Sequence, residues 1–298
     1  MPDPYEATLV ESLPRPIAFV LGGGGSLGAA QVGMLQALHD RNIHADLVTG
    51  TSIGALNGAI VAADPIGAAS RLSHVWNNLD TDAILPGGVV RRIWTLWRSK
   101  TSIYDTPNLA QLFLDEIGDV DIDDLEVPFA AMALDVETSL AVALTSGPVI
   151  SAALASSAIP GVFPSVHRDG RDLYDGGLVT NVPVLQALGM GAKSLVVLDC
   201  AFPDQQIKRP TTMPETVFYS MMVQMRQQVL RELPVAAESV PVVYVPGSAP
   251  VIVSPLDFSL SASLMRDSYG SARKFLETVT VDGPGLYRTT SIEDALGD

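Results

Sequence analysis

An α/β fold built around a mainly parallel sheet is what this sequence predicts, and three observations carry that expectation. Short aliphatic runs such as IAFVL (17–21) and SLVVLDC (194–200) alternate with longer segments of helical apolar spacing, the pattern of strands flanked by helices. The 298 residues are 47% hydrophobic and only 17% charged, which suits a large buried core. Glycine-rich turns, GGGGSLG (22–28) and GTSIG (50–54), sit where a strand pattern passes into a helix pattern.

Taken in order, IAFVL is a strand and AAQVGMLQALHDR (29–41) a helix with Val32, Leu35 and Leu38 on its apolar face. ADLVTGTSIGALNGAIVAA (45–63) gives a strand, a tight turn and a second helix, and SRLSHVW (70–76) continues on a helix face. FAAMALDVE and LAVALTSG, within 129–147, read as adjacent strands, and SVHRDGRDLYDGG (165–177) as a hairpin edge with alternating polar residues. SLVVLDC is a late central strand, PETVFYSMMVQMRQQVLREL (214–233) a long helix and VPVVYVPG (240–247) a short strand. Met221, Met222 and Met225 at helical spacing suit adaptable core. The expected partition is a catalytic domain over 16–200 with a C-terminal extension, 201–298, packed on the same domain.

Composition removes several function classes. With 33 acidic against 18 basic residues the net charge is −15, so the average surface repels nucleic acid, and no nucleic-acid partner is expected. The single cysteine, Cys200, excludes an intrachain disulfide and a thiolate metal cluster. Pro16 to Leu38 carries no charge, yet its glycine run argues against one continuous membrane-spanning helix. Asp3, Glu6 and Glu11 stand where a secretory leader would be basic, so a cytoplasmic protein is expected. One stretch departs from the acidic background: Arg91, Arg92, Trp94, Trp97, Arg98 and Lys100 are expected either to rest on a membrane surface or to form a lid with its tryptophans on the core.

Two glycine turns and one aspartate carry the chemistry. GGGGSLG fits G-x-G-x-x-G through Gly23, Gly25 and Gly28, but a dinucleotide site also asks for an acid after the second strand, and Asp46 precedes LVTG. GTSIG fits the G-x-S-x-G turn that lifts a serine to a helix N-terminus, so Ser52 is either a nucleophile or a plain helix cap. The histidines offer no obvious base: His39 and His44 flank a helix end as surface or capping residues, His74 falls on a helix face, and His167, a minor candidate on a hairpin edge, has none after it, whereas an α/β-hydrolase places its histidine last. DGG (175–177) is by itself an ordinary turn.

In combination these segments resemble the patatin-like phospholipase family. LGGGGSLGAAQVGMLQAL, VTGTSIGALNGA, SSAIPGVFPSV and DGGLVTNVPV follow one another in family order over roughly residues 16–200. The resemblance implies a three-layer α/β/α patatin-like fold and a lipid acyl hydrolase that cleaves carboxylic esters with no metal or organic cofactor. It implies Ser52 as nucleophile, Asp175 as base, and an oxyanion hole on the backbone N–H groups of Gly23, Gly24 and Gly25. Gly28, Gly50, Gly54, Gly176 and Gly177 complete the motifs, and Ile159, Val162 and Phe163 would line the substrate pocket. An aspartate with an ordinary pKa of about 3.9 is a weak base, so Asp175 is expected to be buried. Asp135 is expected to be structural. Leu27 stands where many members carry Arg or Lys, which leaves neutral glycerides, lysolipids and simple acyl esters open beside phospholipids. The alternatives are a catalytically silent lipid-binding regulatory protein with the same fold, and a dinucleotide-binding oxidoreductase.

Overall fold

Among the described residues nine strands form one sheet: β1 (Ile17–Leu21), β2 (Leu47–Thr51), β3 (Phe129–Asp135), β4 (Ala141–Leu144), β5 (Val166–Arg168), β6 (Arg171–Asp175), β7 (Ser194–Leu198), β8 (Pro241–Tyr244) and β9 (Gly285–Tyr287). The computed structural model describes residues 12–79, 114–200, 209–247 and 258–289. The cationic, tryptophan-bearing stretch from Arg91 to Lys100 lies outside them.

The strand order is β5-β6-β3-β2-β1-β7-β8-β9, with β4 also paired to β3. All pairings from β3 through β9 along this path are parallel, while β4 and the β5–β6 hairpin are antiparallel. Every residue of β1, β2 and β7 is buried, the reason β1 (IAFVL) and β7 (SLVVL) do not alternate; β2 (LVTGT) buries its two threonines with their hydroxyls bonded to Pro183 O and Thr180 O.

The helices are α1 (Ala29–His39), α2 (Ile53–Ala63), α3 (Ala68–Asn78), α4 (Val149–Ser156), α5 (Val184–Gly189), α6 (Met213–Ala237) and α7 (Ser261–Leu276). They cover both faces of the sheet. Val48 of β2 lies under α2 at Gly58, whereas the next residue, Thr49, donates its hydroxyl to Pro183 O at the start of α5. Helix α6 packs on α5 and β8, and α7 packs along α1. Residues beyond 200 thus add strands to the same sheet and helices to its layers. Thr212 and Glu215 form a capping box that starts α6.

One feature of the sheet positions the chemistry. β3 pairs with β2 over residues 129–132, with β4 over 131–134 and with β6 over 133–135. One edge of a strand serves one partner at a time, so β2 and β6 share an edge of β3 and β4 takes the other. Thr51 lies opposite Met132 and Asp175 opposite Ala133, on consecutive rungs. The strands ending near Ser52 and at Asp175 therefore run toward each other and meet.

Candidate active site

Ser52 occupies the sharp junction between β2 and α2, with φ 55° and ψ −126°. A non-glycine residue rarely adopts a positive φ, and persists there only where its surroundings impose it. They do so here. A Cβ at Gly54 would lie 2.3 Å from Leu21 O, and one at Gly50 2.3 Å from Gly54 O, so helix, elbow and β1 approach at backbone distance. Ser52 N–H donates to Ser156 Oγ at 2.9 Å, and that hydroxyl donates to Met132 O at 2.5 Å. The end of α4 thus pins the elbow to β3.

Asp175 ends β6 and is buried. Its carboxylate faces the Ser52 side chain, and its Oδ1 accepts Gly177 N–H at 2.7 Å. Burial pushes the carboxyl from its ordinary 3.8 up to about 6, while the bonds from Ser52 and Gly177 restrain the rise. A carboxylate near that value is largely ionised at neutral pH and still basic enough to accept a proton as one is released.

The glycine loop follows β1 and is held from several sides. Gly22 N–H donates to Leu198 O, and the Gln31 amide donates to Gly22 O at 2.8 Å and Leu198 O at 2.9 Å. Asn57 donates to Gln31 Oε1 and to Gly28 O, and Trp76 Nε1 donates to Asn57 Oδ1, which makes a buried polar chain from α3 to the loop. Gly23 N–H is committed to Asn181 O at 3.3 Å. Among the described residues, the N–H groups of Gly24 and Gly25 have no hydrogen-bond acceptor. Leu27 is buried in the core.

The SSAIPGVFPSV segment borders this centre, since Ala158 O accepts Asp175 N–H at 2.9 Å; Ile159, Val162 and Phe163 beyond it are half-buried. Gly176 abuts Met132 O, and Gly28 abuts Ile53. His167 is exposed on the β5–β6 hairpin, with Nδ1 3.0 Å from Asp172 Oδ1. Asp135 accepts N–H groups of Glu137 and Thr138 and faces Arg171, a turn-forming role. Asp46 accepts Ile17 N–H at 2.7 Å and pairs with Arg15, at the start of β1 and thus at the opposite end of that strand from the glycine loop. The carboxylate required by the dinucleotide pattern is therefore on the wrong side. A cavity of about 210 Å³ lined by Leu144, Ser146, Arg168 and Arg171 contains neither Ser52 nor Asp175.

The fold and this centre define a class: α/β proteins in which a serine at a strand-to-helix elbow faces a buried aspartate. The chain belongs to the patatin-like phospholipase family, whose sequence profile matches residues 19–188. Neuropathy target esterase sws of Drosophila melanogaster is 31% identical over 191 residues, covering 63% of this chain and 13% of that protein. Patatin-like phospholipase domain-containing protein 7 of Rattus norvegicus is 33% identical over 192 residues, covering 63% of this chain and 14% of that protein. The chain therefore spans only a small part of the length of these relatives. Human GIVD cytosolic phospholipase A2, solved in complex with methyl gamma-linolenyl fluorophosphonate, shares the fold with a TM-score of 0.50 at 12% identity, over 88% of this chain and 57% of that one.

Proposed function

We propose that the protein is a lipid acyl hydrolase that cleaves carboxylic esters through a Ser52–Asp175 dyad. The observation that carries this reading is the convergence, on consecutive rungs of β3, of a strained elbow serine and the buried carboxylate that its side chain faces. Ser52 Oγ attacks the ester carbonyl carbon as Asp175 takes its proton, and the alcohol leaves with that proton. Water then attacks the acyl-Ser52 ester, again giving a proton to Asp175, which returns it to Ser52 as the fatty acid departs.

The carbonyl oxygen becomes an oxyanion in both halves of the reaction. Gly24 and Gly25 supply the N–H groups for it, each contributing on the order of 3 kcal/mol. The expectation for Gly23 changes, because its N–H is already spent on Asn181 O. Gly23 instead gives the bare backbone beside Ser52 Cβ. Ile159, Val162 and Phe163 form an apolar wall for the acyl chain.

Contact with a lipid surface has support on α6. Met213 and Val217 are 79% and 57% exposed, and the same i+4 row continues through Met221 to Met225, whose methyl group lies against Gly177. Among the described residues no helix is long and apolar enough to cross a membrane, so the mode proposed is peripheral.

The test is fatty-acid release from a panel of phospholipids, lysolipids, glycerides and short acyl esters by wild type and Ser52→Ala. Release by wild type alone supports the proposal. Release that survives in a folded Ser52→Ala removes the dyad, and no release from any ester by wild type favours the silent lipid-binding alternative.

A further inference from the structure

Asn181 lies in the loop that leads away from Asp175, and it is fully buried. Each end of its side-chain amide meets a different environment. Nδ2 donates to Gly23 O at 3.4 Å, while the residue's own carbonyl accepts Gly23 N–H. Its N–H donates to Gln228 Oε1 at 2.5 Å, which ties the loop to α6. Oδ1, by contrast, is buried with no hydrogen-bond partner among the described residues. Turning the amide over would put Oδ1 against Gly23 O, two acceptors face to face, so the orientation is chemically fixed.

A buried amide oxygen without a donor is unfavourable, and such groups normally face a ligand or a bound water. The location indicates which. The position of a Cβ on Gly177 would be 3.1 Å from Asp175 Oδ1 and 3.2 Å from Asn181 Oδ1, so both oxygens flank the same bare glycine. The position of a Cβ on Gly23 would be 2.7 Å from Asn181 Oδ1 and 3.1 Å from Ser52 Cβ. Asn181 Oδ1 therefore borders the same glycine-walled space as the Asp175 carboxylate and Ser52, where one water can donate to both oxygens.

We infer that Asn181 is a positioning residue for the second half of the reaction: its Oδ1 accepts one hydrogen of the water that attacks the acyl-Ser52 carbonyl, while Asp175 accepts the other. The inference rests on the acyl-hydrolase reading. The water oxygen bonds to the acyl carbon and its proton passes to Asp175. The bond from that carbon to Ser52 Oγ then breaks, and Ser52 Oγ takes the proton back. In the first half of the reaction the serine hydroxyl fills this role itself, so Asn181 Oδ1 is required only for deacylation.

The experiment is pre-steady-state hydrolysis of a p-nitrophenyl ester by the full chain, with intact-mass analysis of the protein during turnover. Wild type, Asn181→Leu and Asn181→Asp are compared, with Asn181→Ala in place of leucine if that variant does not fold. Asn181→Leu is expected to release p-nitrophenol in a burst, to accumulate acyl-Ser52, and to deacylate about 10-fold or more slowly. Asn181→Asp keeps acceptor oxygens and is expected to deacylate faster than Asn181→Leu. Parallel loss of acylation and deacylation without acyl-enzyme, or full deacylation in Asn181→Leu, would overturn the inference and reduce Asn181 to a clamp on Gly23. Failure of the underlying reading has a different signature: wild type itself would form no acyl-Ser52, even when trapped by acid quench within the first turnover.

Discussion

Replacing Asp175 by asparagine should destroy activity and at the same time stabilise the protein near neutral pH. Burial raises the carboxyl from 3.8 to about 6 in the folded chain. Each pKa unit corresponds to about 1.4 kcal/mol, so keeping the ionised form folded costs about 3 kcal/mol relative to the unfolded chain. Asparagine has nearly the same shape, keeps an oxygen to accept Gly177 N–H, and brings no charge to desolvate. A poorly placed amide NH₂ offsets part of the gain, so a net stabilisation of about 1–3 kcal/mol is expected. The pH dependence identifies the cause. The wild-type penalty is complete above the folded value of about 6 and fades as pH falls toward 3.8, below which both states carry the proton. Urea unfolding of wild type and Asp175→Asn across that range should therefore show a stability gap that is widest at neutral pH and closes on acidification. A variant that is less stable than wild type at neutral pH, or a gap indifferent to pH, would refute the reasoning.

Other outcomes follow from the same geometry. The pH profile of kcat/KM for a soluble ester should rise with Asp175 ionisation through a midpoint of about 6 and then level off. Ser52→Gly should abolish hydrolysis yet raise stability by about 1 kcal/mol, because glycine relieves the positive φ of the elbow; thermal unfolding measures it. Ser156→Ala leaves Ser52 N–H and Met132 O without their shared hydroxyl and should lose about 1–3 kcal/mol of stability together with kcat. His167→Ala should leave ester hydrolysis at the wild-type rate, since the exposed His167 ring pairs with Asp172 on the β5–β6 hairpin.

The parts of the fold legible in the sequence were those written in local pattern. The buried parallel strands β1 and β7 show as aliphatic runs, and the elbow shows as Gly50 and Gly54 around Ser52. The meeting of Ser52 with Asp175 had to come from family resemblance, because it depends on β2 and β6 sharing an edge of β3. Helix α7 left only an indirect trace: Gly33, inside α1, sits where a Cβ would lie 2.1 Å from Met265 O, and a lone glycine in a helix often marks such an approach. Ser156, Gln31, Asn57 and Trp76 were in view but silent, since a polar side chain in a helix gives no local sign that it will be buried against a distant loop. The commitment of Gly23 N–H to Asn181 was equally hidden, as it joins two segments through backbone atoms that every residue possesses.

The central claim is that Ser52 is a nucleophile activated by Asp175, and fluorophosphonate labelling read by peptide mass spectrometry tests it most directly. Wild type should carry the adduct on Ser52, Ser52→Ala should carry none, and Asp175→Asn should label far more slowly. An adduct on another residue, or labelling of Asp175→Asn at the wild-type rate, would contradict the account.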